Sequence, residues 1–249
     1  METIVPKSST VFATLFRADL ATAVSNRRSV VISLLVPMII LITWKGLIKL
    51  IGGPAVLATS ITIGLIAIGL MSYTLSIARD RDKGIFQRLR VAPVPTWAIM
   101  ASRISIQMVM IIVLTLATFI IGYQYDGIAL SAQGYILTFG VAILGGAVYL
   151  SLGQLIVGLI KNFETINATT RITYFLFIMV GMVGGIDSMN ATVKKLVNFS
   201  PYGCVKMMLA GSMEASKWTS DTSTAVIVSI AYIVVFGGIG ISKFKWNTK

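Results

Sequence analysis

From residue 50 to residue 78 the chain carries no charged side chain. As a helix rising about 1.5 Å per residue, such a run is longer than the hydrocarbon core of a bilayer, about 30 Å thick. Inside that core no water pairs with backbone N–H and C=O groups, so only a helix or a closed barrel can cross it. Five more charge-free runs share the chain, at residues 29–44, 104–125, 127–160, 172–186 and 222–242. Only 12% of the 249 residues are charged and 56% are hydrophobic, which excludes an ordinary soluble domain. The expected fold class is all-α integral membrane, with six transmembrane helices.

The pattern refines each span. Pro37 is expected to kink the first, and Pro54 to open the second after a brief loop at 45–53. The third span is expected from 104, the fourth after loop residues that follow Asp126 and Gly127, and the fifth from within 165–171. Ahead of the first span, Phe12, Phe16, Leu20 and Val24 recur every four residues and end at Arg27 and Arg28. This reads as an amphipathic helix lying in the membrane interface; a helix packed on another subunit is the competing view. The long loop at 187–221 holds two apolar patches around Pro201, so it is expected to dip into the membrane from outside or to cap it. No cleavable signal peptide is evident in residues 1–28.

Six spans put both ends of the chain on one side. The other side would carry Lys45, Lys49, Lys194, Lys195, Lys206 and Lys217; all the rest of the 21 lysines and arginines fall with the termini. The excess of cations places both termini in the cytoplasm. The net charge of +12 is therefore an orienting and lipid-facing charge, and nucleic acid is not an expected partner. With no histidine and one cysteine, neither a transition-metal site nor an internal disulfide is expected.

The one densely charged stretch, residues 79–97, lies between the second and third runs. Ile85, Phe86 and Leu89 give it an apolar helical face, while Arg81, Asp82, Arg88 and Arg90 surround that face and Gly84 precedes it. Pro93 and Pro95 stop the helix. Two readings follow: a solvated loop that fixes topology, or a docking element for a soluble partner.

Chemistry of its own is lacking. No phosphate-binding G-x-x-x-x-G-K-[ST] loop, G-x-S-x-G or H-E-x-x-H occurs. No carboxylate or histidine sits at the centre of a run, where an ion-coupled transporter carries one. A passive channel needs no energy source, whereas a driven transporter must take its energy from a partner. Gln107 and Gln154 are polar within spans; they can face a path or bond across a helix interface. Met179 and Met182 can line an adaptable apolar exit or simply pack.

The chain resembles an ABC-2 type transporter permease, the membrane subunit of a class of ABC exporters. The resemblance rests on Arg81-Asp82-Lys83-Gly84-Ile85-Phe86-Gln87-Arg88-Leu89-Arg90 with Pro93 after it, placed between the second and third spans. It also rests on the amphipathic stretch at 10–28 with Pro37 beyond it, and on Phe199-Ser200-Pro201-Tyr202 before the sixth span. The family often has Glu where this chain has Asp80 and Asp82, and a proline near the position of Arg27 and Arg28. The resemblance implies two regions: a cytoplasmic segment at 1–28 and a six-span domain at 29–249, with a coupling loop at 79–98. It implies that Arg81, Asp82, Gly84, Ile85, Phe86, Arg88, Leu89, Arg90 and Pro93 dock an ABC ATP-binding subunit, present in two copies. That subunit would use ATP and Mg; this chain would bind no cofactor and catalyse nothing. A second permease, the same or related, would complete the complex in the plasma membrane of a bacterium. Export of a drug, peptide or lipid-like molecule is the implied function.

Overall fold

The computed structural model describes residues 8–25, 27–91, 95–183 and 190–245, with backbone alone at 27–30, 32, 33, 90, 91 and 96. Every regular element among them is helical. Six helical stretches are long and apolar enough to cross a membrane: 34–51, 53–82, 97–126, 132–159, 163–183 and 220–243.

Helix α1 (Ser8–Ser25) precedes the first span, which comprises α2 (Arg27–Thr43), a tighter turn at Trp44–Leu47 and α3 (Ile48–Ile51). The expected loop at 45–53 is thus helical up to Gly52. Lys45 does not force the chain into water, because its Nζ donates to the Tyr125 carbonyl at 2.7 Å, at the end of the third span. A cation there is favoured by the unpaired carbonyls of a helix C-terminus. Pro37 lies inside α2, and its carbonyl accepts from Ser60 Oγ at 2.7 Å, fastening the first span to the second.

The second span runs from α4 (Gly53–Ile66), with Pro54 in its first turn as expected, through a wide π-type turn at Ala67–Tyr73 into α5 (Thr74–Asp82). It is the axis of the bundle: 83% of its span is buried, against 17% of the sixth. Its widened turn packs closely on the fourth span, α8 (Ala132–Leu159). A Cβ added to Gly69 would stand 2.5 Å from Tyr149 Cβ, and one added to Gly153 would stand 2.7 Å from the Gly69 carbonyl oxygen. Only glycine on both sides lets the two backbones come this near. Thr74 Oγ1 donates to that same Gly69 carbonyl at 3.1 Å, giving a partner to a group that the wide turn alters.

After Gly84 (φ 66°) comes the short α6 (Ile85–Val91), then α7 (Thr96–Asp126), the third span. It starts well before residue 104 because Arg103, the charge that seemed to end it, is neutralised inside the protein. Its guanidinium holds Asp80 of α5 at 2.7 Å and Asp19 of α1 at 3.2 Å, and Ser102 Oγ donates to the same Asp19 carboxylate. The packed face of α1 is therefore Val11, Leu15 and Asp19, with Phe12 and Phe16 half-buried and stacked at 6.2 Å. Leu20 and Val24 point away from the bundle, 37% and 61% exposed, which corrects the stripe inferred from the four-residue repeat. Both readings of α1 missed that it packs on its own chain through a charge.

The fifth span is α9 (Phe163–Val183), starting two residues before the expected range and capped by Asn162 Oδ1, which accepts from Thr165 N at 3.0 Å. The segment expected to dip is two helices, α10 (Ala191–Phe199) and α11 (Pro201–Met213); α12 (Ser220–Lys243) closes the bundle. The turn between α10 and α11 lies deep: the Phe199 carbonyl accepts from Tyr232, midway along α12, at 2.9 Å. The Pro201 carbonyl accepts from Tyr149 of α8 at 3.3 Å. At its other end, the Met213 carbonyl oxygen is 2.8 Å from where a Cβ on Gly134 would be, in the first turn of α8. So α10 descends, Ser200 caps the turn, and α11 climbs back along α8 and α12.

Loss of Arg103 should leave the Asp19 and Asp80 carboxylates without a counter-charge in a largely buried site. Arg103→Met is expected to cost about 3–5 kcal/mol, read as a lowered thermal midpoint of the solubilised protein. Adding Asp19→Asn and Asp80→Asn to it should restore most of the loss; no recovery would mean that the network is not what holds α1.

Candidate docking site and transport path

The stretch inferred to dock a partner divides into an inner and an outer half. Arg81 is 1% exposed. Its Nη1 donates to the Val157 carbonyl at 2.7 Å, and its Nη2 to those of Ile160 and Lys161 at 2.7 and 3.0 Å. These carbonyls lie in the last turn of α8 and just past its end, and a guanidinium serves several at once. The Arg81 guanidinium also lies 5.8 Å from the ring centroid of Phe244, just past α12. Phe86 is fully buried and meets the same ring edge-on at 6.1 Å. Arg81 and Phe86 therefore do not present themselves to a partner. They fasten the base of the charged stretch to the ends of α8 and α12, a correction to the outward apolar face read from spacing alone.

What faces outward is Asp82, Lys83, Gln87 and Arg88, with Ile85 and Leu89 half-buried beside them. Gly84 makes the left-handed turn that sets α6 at an angle to α5. The side chain of Arg90, and all of Pro93, lie outside the described residues, as do the side chains of Arg27 and Arg28. The outer half is thus a small mixed surface: two apolar groups ringed by a guanidinium, an ammonium, a carboxylate and an amide.

The residues inferred for a path are scattered. Gln154 is 8% exposed and accepts from Tyr73 Oη at 2.7 Å, across the interface of the second and fourth spans. Gln107 is equally buried, and its Oε1 has no hydrogen-bond partner among the described residues. Met179 and Met182 lie on the open side of α9, 51% and 64% exposed, together with Ile172, Phe175 and Leu176. That side of α9 is an apolar surface facing away from its own bundle. The structure does not bring the two glutamines and the two methionines to one place.

The comparison with protein families agrees with this architecture. Residues 51–242 match the family described as ABC-2 family transporter protein. The chain belongs to that family. The match covers the spans from the second onward, including α6 and the α10–α11 hairpin. No curated protein matches the chain. This ABC-2 permease is a membrane subunit of an ABC transporter; members of the family are not themselves catalytic and associate with an ABC ATP-binding subunit.

Several residues that matter in the permease carry no sequence signal strong enough to find them. Phe244 lies beyond the last apolar run, and Tyr149 and Tyr232 look like ordinary aromatics of a span. Tyr73 was detectable in principle, as a hydroxyl within the most apolar stretch, where it must find a partner.

Arg81 and Arg88 should behave differently. Arg81→Met leaves three carbonyls without their donor and is expected to cost about 3 kcal/mol or more, at about 1–3 kcal/mol for each lost partner. Arg88→Met, at an exposed site, should stay within about 0.5 kcal/mol. Thermal midpoints of the purified variants check this, and equal effects would sink the division into inner and outer halves.

Proposed function

We propose that this chain is the permease of an ATP-driven ABC exporter that moves an amphiphilic or apolar molecule, such as a drug, a peptide or a lipid-like compound, out of the cytoplasm or inner leaflet. The observation that carries the reading is the family match across α6, combined with an outward face of Ile85, Arg88 and Leu89 on that helix. On this reading α6 is the coupling helix. Ile85 and Leu89 complete their burial in a groove of the ATP-binding subunit, while Asp82 and Arg88 pair with its charges at the rim. Two such subunits hold and hydrolyse ATP with Mg. When they close, α6 moves, and its anchors give that motion a route: Arg81 and Phe86 to the ends of α8 and α12, and Asp80 with Arg103 to α7 and α1.

The apolar side of α9 meets a second permease, the same or related, and Met179 and Met182 lie where the two subunits would enclose a path. The excess of lysine and arginine on the α6 end supports a cytoplasmic side for that end and both termini, with the α10–α11 hairpin entering from outside; the proposed setting is the plasma membrane of a bacterium. Residues 1–28 form the cytoplasmic lead, and 29–249 the transmembrane domain.

Tagged protein purified from its native host in mild detergent tests this. Wild type should bring down a stoichiometric subunit with a phosphate-loop ATPase motif. Leu89→Asp and Ile85→Asp should lower its recovery about ten-fold, the equivalent of about 1.4 kcal/mol, at unchanged membrane abundance. Phe86→Asp should instead reduce the amount of folded chain, because it places a carboxylate in the Phe244 contact. Undiminished recovery with Leu89→Asp and Ile85→Asp would refute docking through α6, and a wild-type chain that purifies without any such subunit would favour a passive channel.

A further inference from the structure

A cavity of about 460 Å³ opens between α7, α8 and α12, in the half of the bundle nearer α6. That volume falls within the range of small-molecule sites, roughly 300–1,000 Å³. Ile104 and Met108 of α7 form one wall, Gly238 and Ile241 of α12 the other, and Tyr73, Ser151 and Gln154 lie at the floor. Ile104 and Ile241 are 37% and 71% exposed, so the mouth lies on the flank of the bundle, where lipid would be. The backbone at Gly238 borders open space: a Cβ added there meets nothing within 4 Å.

The floor is polar in one defined way. Gln154 Oε1 accepts from Tyr73 Oη, and the amide NH2 has no acceptor among the described residues. Unlike the buried atoms that lack partners, it reaches accessible surface where Gln154 lines the cavity. Ser151 Oγ donates to the Val148 carbonyl at 2.7 Å and keeps its lone pairs. No described lining residue is charged. A charged ligand would lose its hydration here without gaining a counter-ion. An uncharged one, with an apolar body and one acceptor group, would satisfy the amide and cover the methionine and isoleucine walls. Met108 adapts to such a body by rotation about its unbranched chain.

We propose that this groove is a lateral binding site for an uncharged amphiphile that enters from the bilayer, places one oxygen on the Gln154 amide and lays its apolar body along α7 and α12. The proposal rests on, and narrows, the reading of the chain as a permease for amphiphilic or apolar molecules.

The test uses the full-length chain with its co-purifying subunits in phosphatidylcholine nanodiscs. The probes are hexadecanol carrying a diazirine and the matching diazirine hexadecane, with labelled peptides identified by mass spectrometry. The alcohol should label 100–108 and 233–244 about five-fold more than the alkane does, the worth of one neutral hydrogen bond. Gln154→Leu should reduce the alcohol to the level of the alkane. Gly238→Leu, which fills the groove where there is room for a side chain, should abolish labelling there by both probes and carries the test if Gln154→Leu folds poorly. Equal labelling of wild type by alcohol and alkane would mean a slot for lipid tails and overturn the proposal. So would labelling unaffected by Gly238→Leu and spread evenly over the open side of α9. The readout needs no ATP-binding subunit, so its failure leaves docking through α6 standing, and a failure of docking leaves the labelling unchanged.

Discussion

A backbone carbonyl that has left water needs a donor, and at the end of α8 that donor is Arg81. Much of the architecture at the α6 end depends on this one side chain. It arrives from the axial second span, closes the C-terminus of the fourth and lies against the aromatic ring that follows the sixth. Phe86 packs on the same ring from the far side of Gly84. Charge is thus spent on holding helices together, and the surface available to a partner is smaller than the charged stretch suggests. The charged stretch therefore has a fastened base and a small outward face.

The same requirement shapes the opposite half. A chain that turns back at mid-depth breaks its helix where no water can repair the break, and such irregular backbone persists only where protein encloses it. Tyr149 and Tyr232 supply hydroxyls to the carbonyls on either side of Ser200, and the serine caps the new helix. The hairpin therefore depends on two neighbouring spans for its hydrogen bonds. This ties α10 and α11 to α8 and α12, the two helices that Arg81 and Phe86 engage at the other end. The α6 end and the hairpin are thus both fastened to the same two spans, α8 and α12.

Three polar groups of the spans are each matched by a partner from another element. Arg103 is matched by two carboxylates, Lys45 by a helix end, and Gln154 by a tyrosine hydroxyl. Gln154 differs in being only half satisfied, with its remaining donor at the floor of a cavity open to the flank. Gln107, buried to the same degree, has an oxygen with no partner among the described residues but does not line that cavity.

The sequence by itself determined the number of spans, their order and the short helix between the second and third, because each follows from runs of residues that cannot remain in water. It also marked 187–221 as a segment outside the spans with two apolar patches around Pro201, expected to dip into the membrane or to cap it. Direction was beyond it. Spacing puts Ile85, Phe86 and Leu89 on one face, yet nothing local says that Phe244 waits for one of them, or that Arg81 has three carbonyls to reach. The repeat of Phe12, Phe16, Leu20 and Val24 misled for the same reason: the face of α1 that packs is chosen by Asp19, whose partners Ser102 and Arg103 are far along the chain. Likewise Lys45 marked the end of the first charge-free run and Arg103 the start of the third, yet helix continues through both, because Lys45 reaches the Tyr125 carbonyl and Arg103 meets two carboxylates. Hydrophobicity is a property of the residue and can be read in order; pairing is a property of two distant residues, and only the folded bundle brings them together.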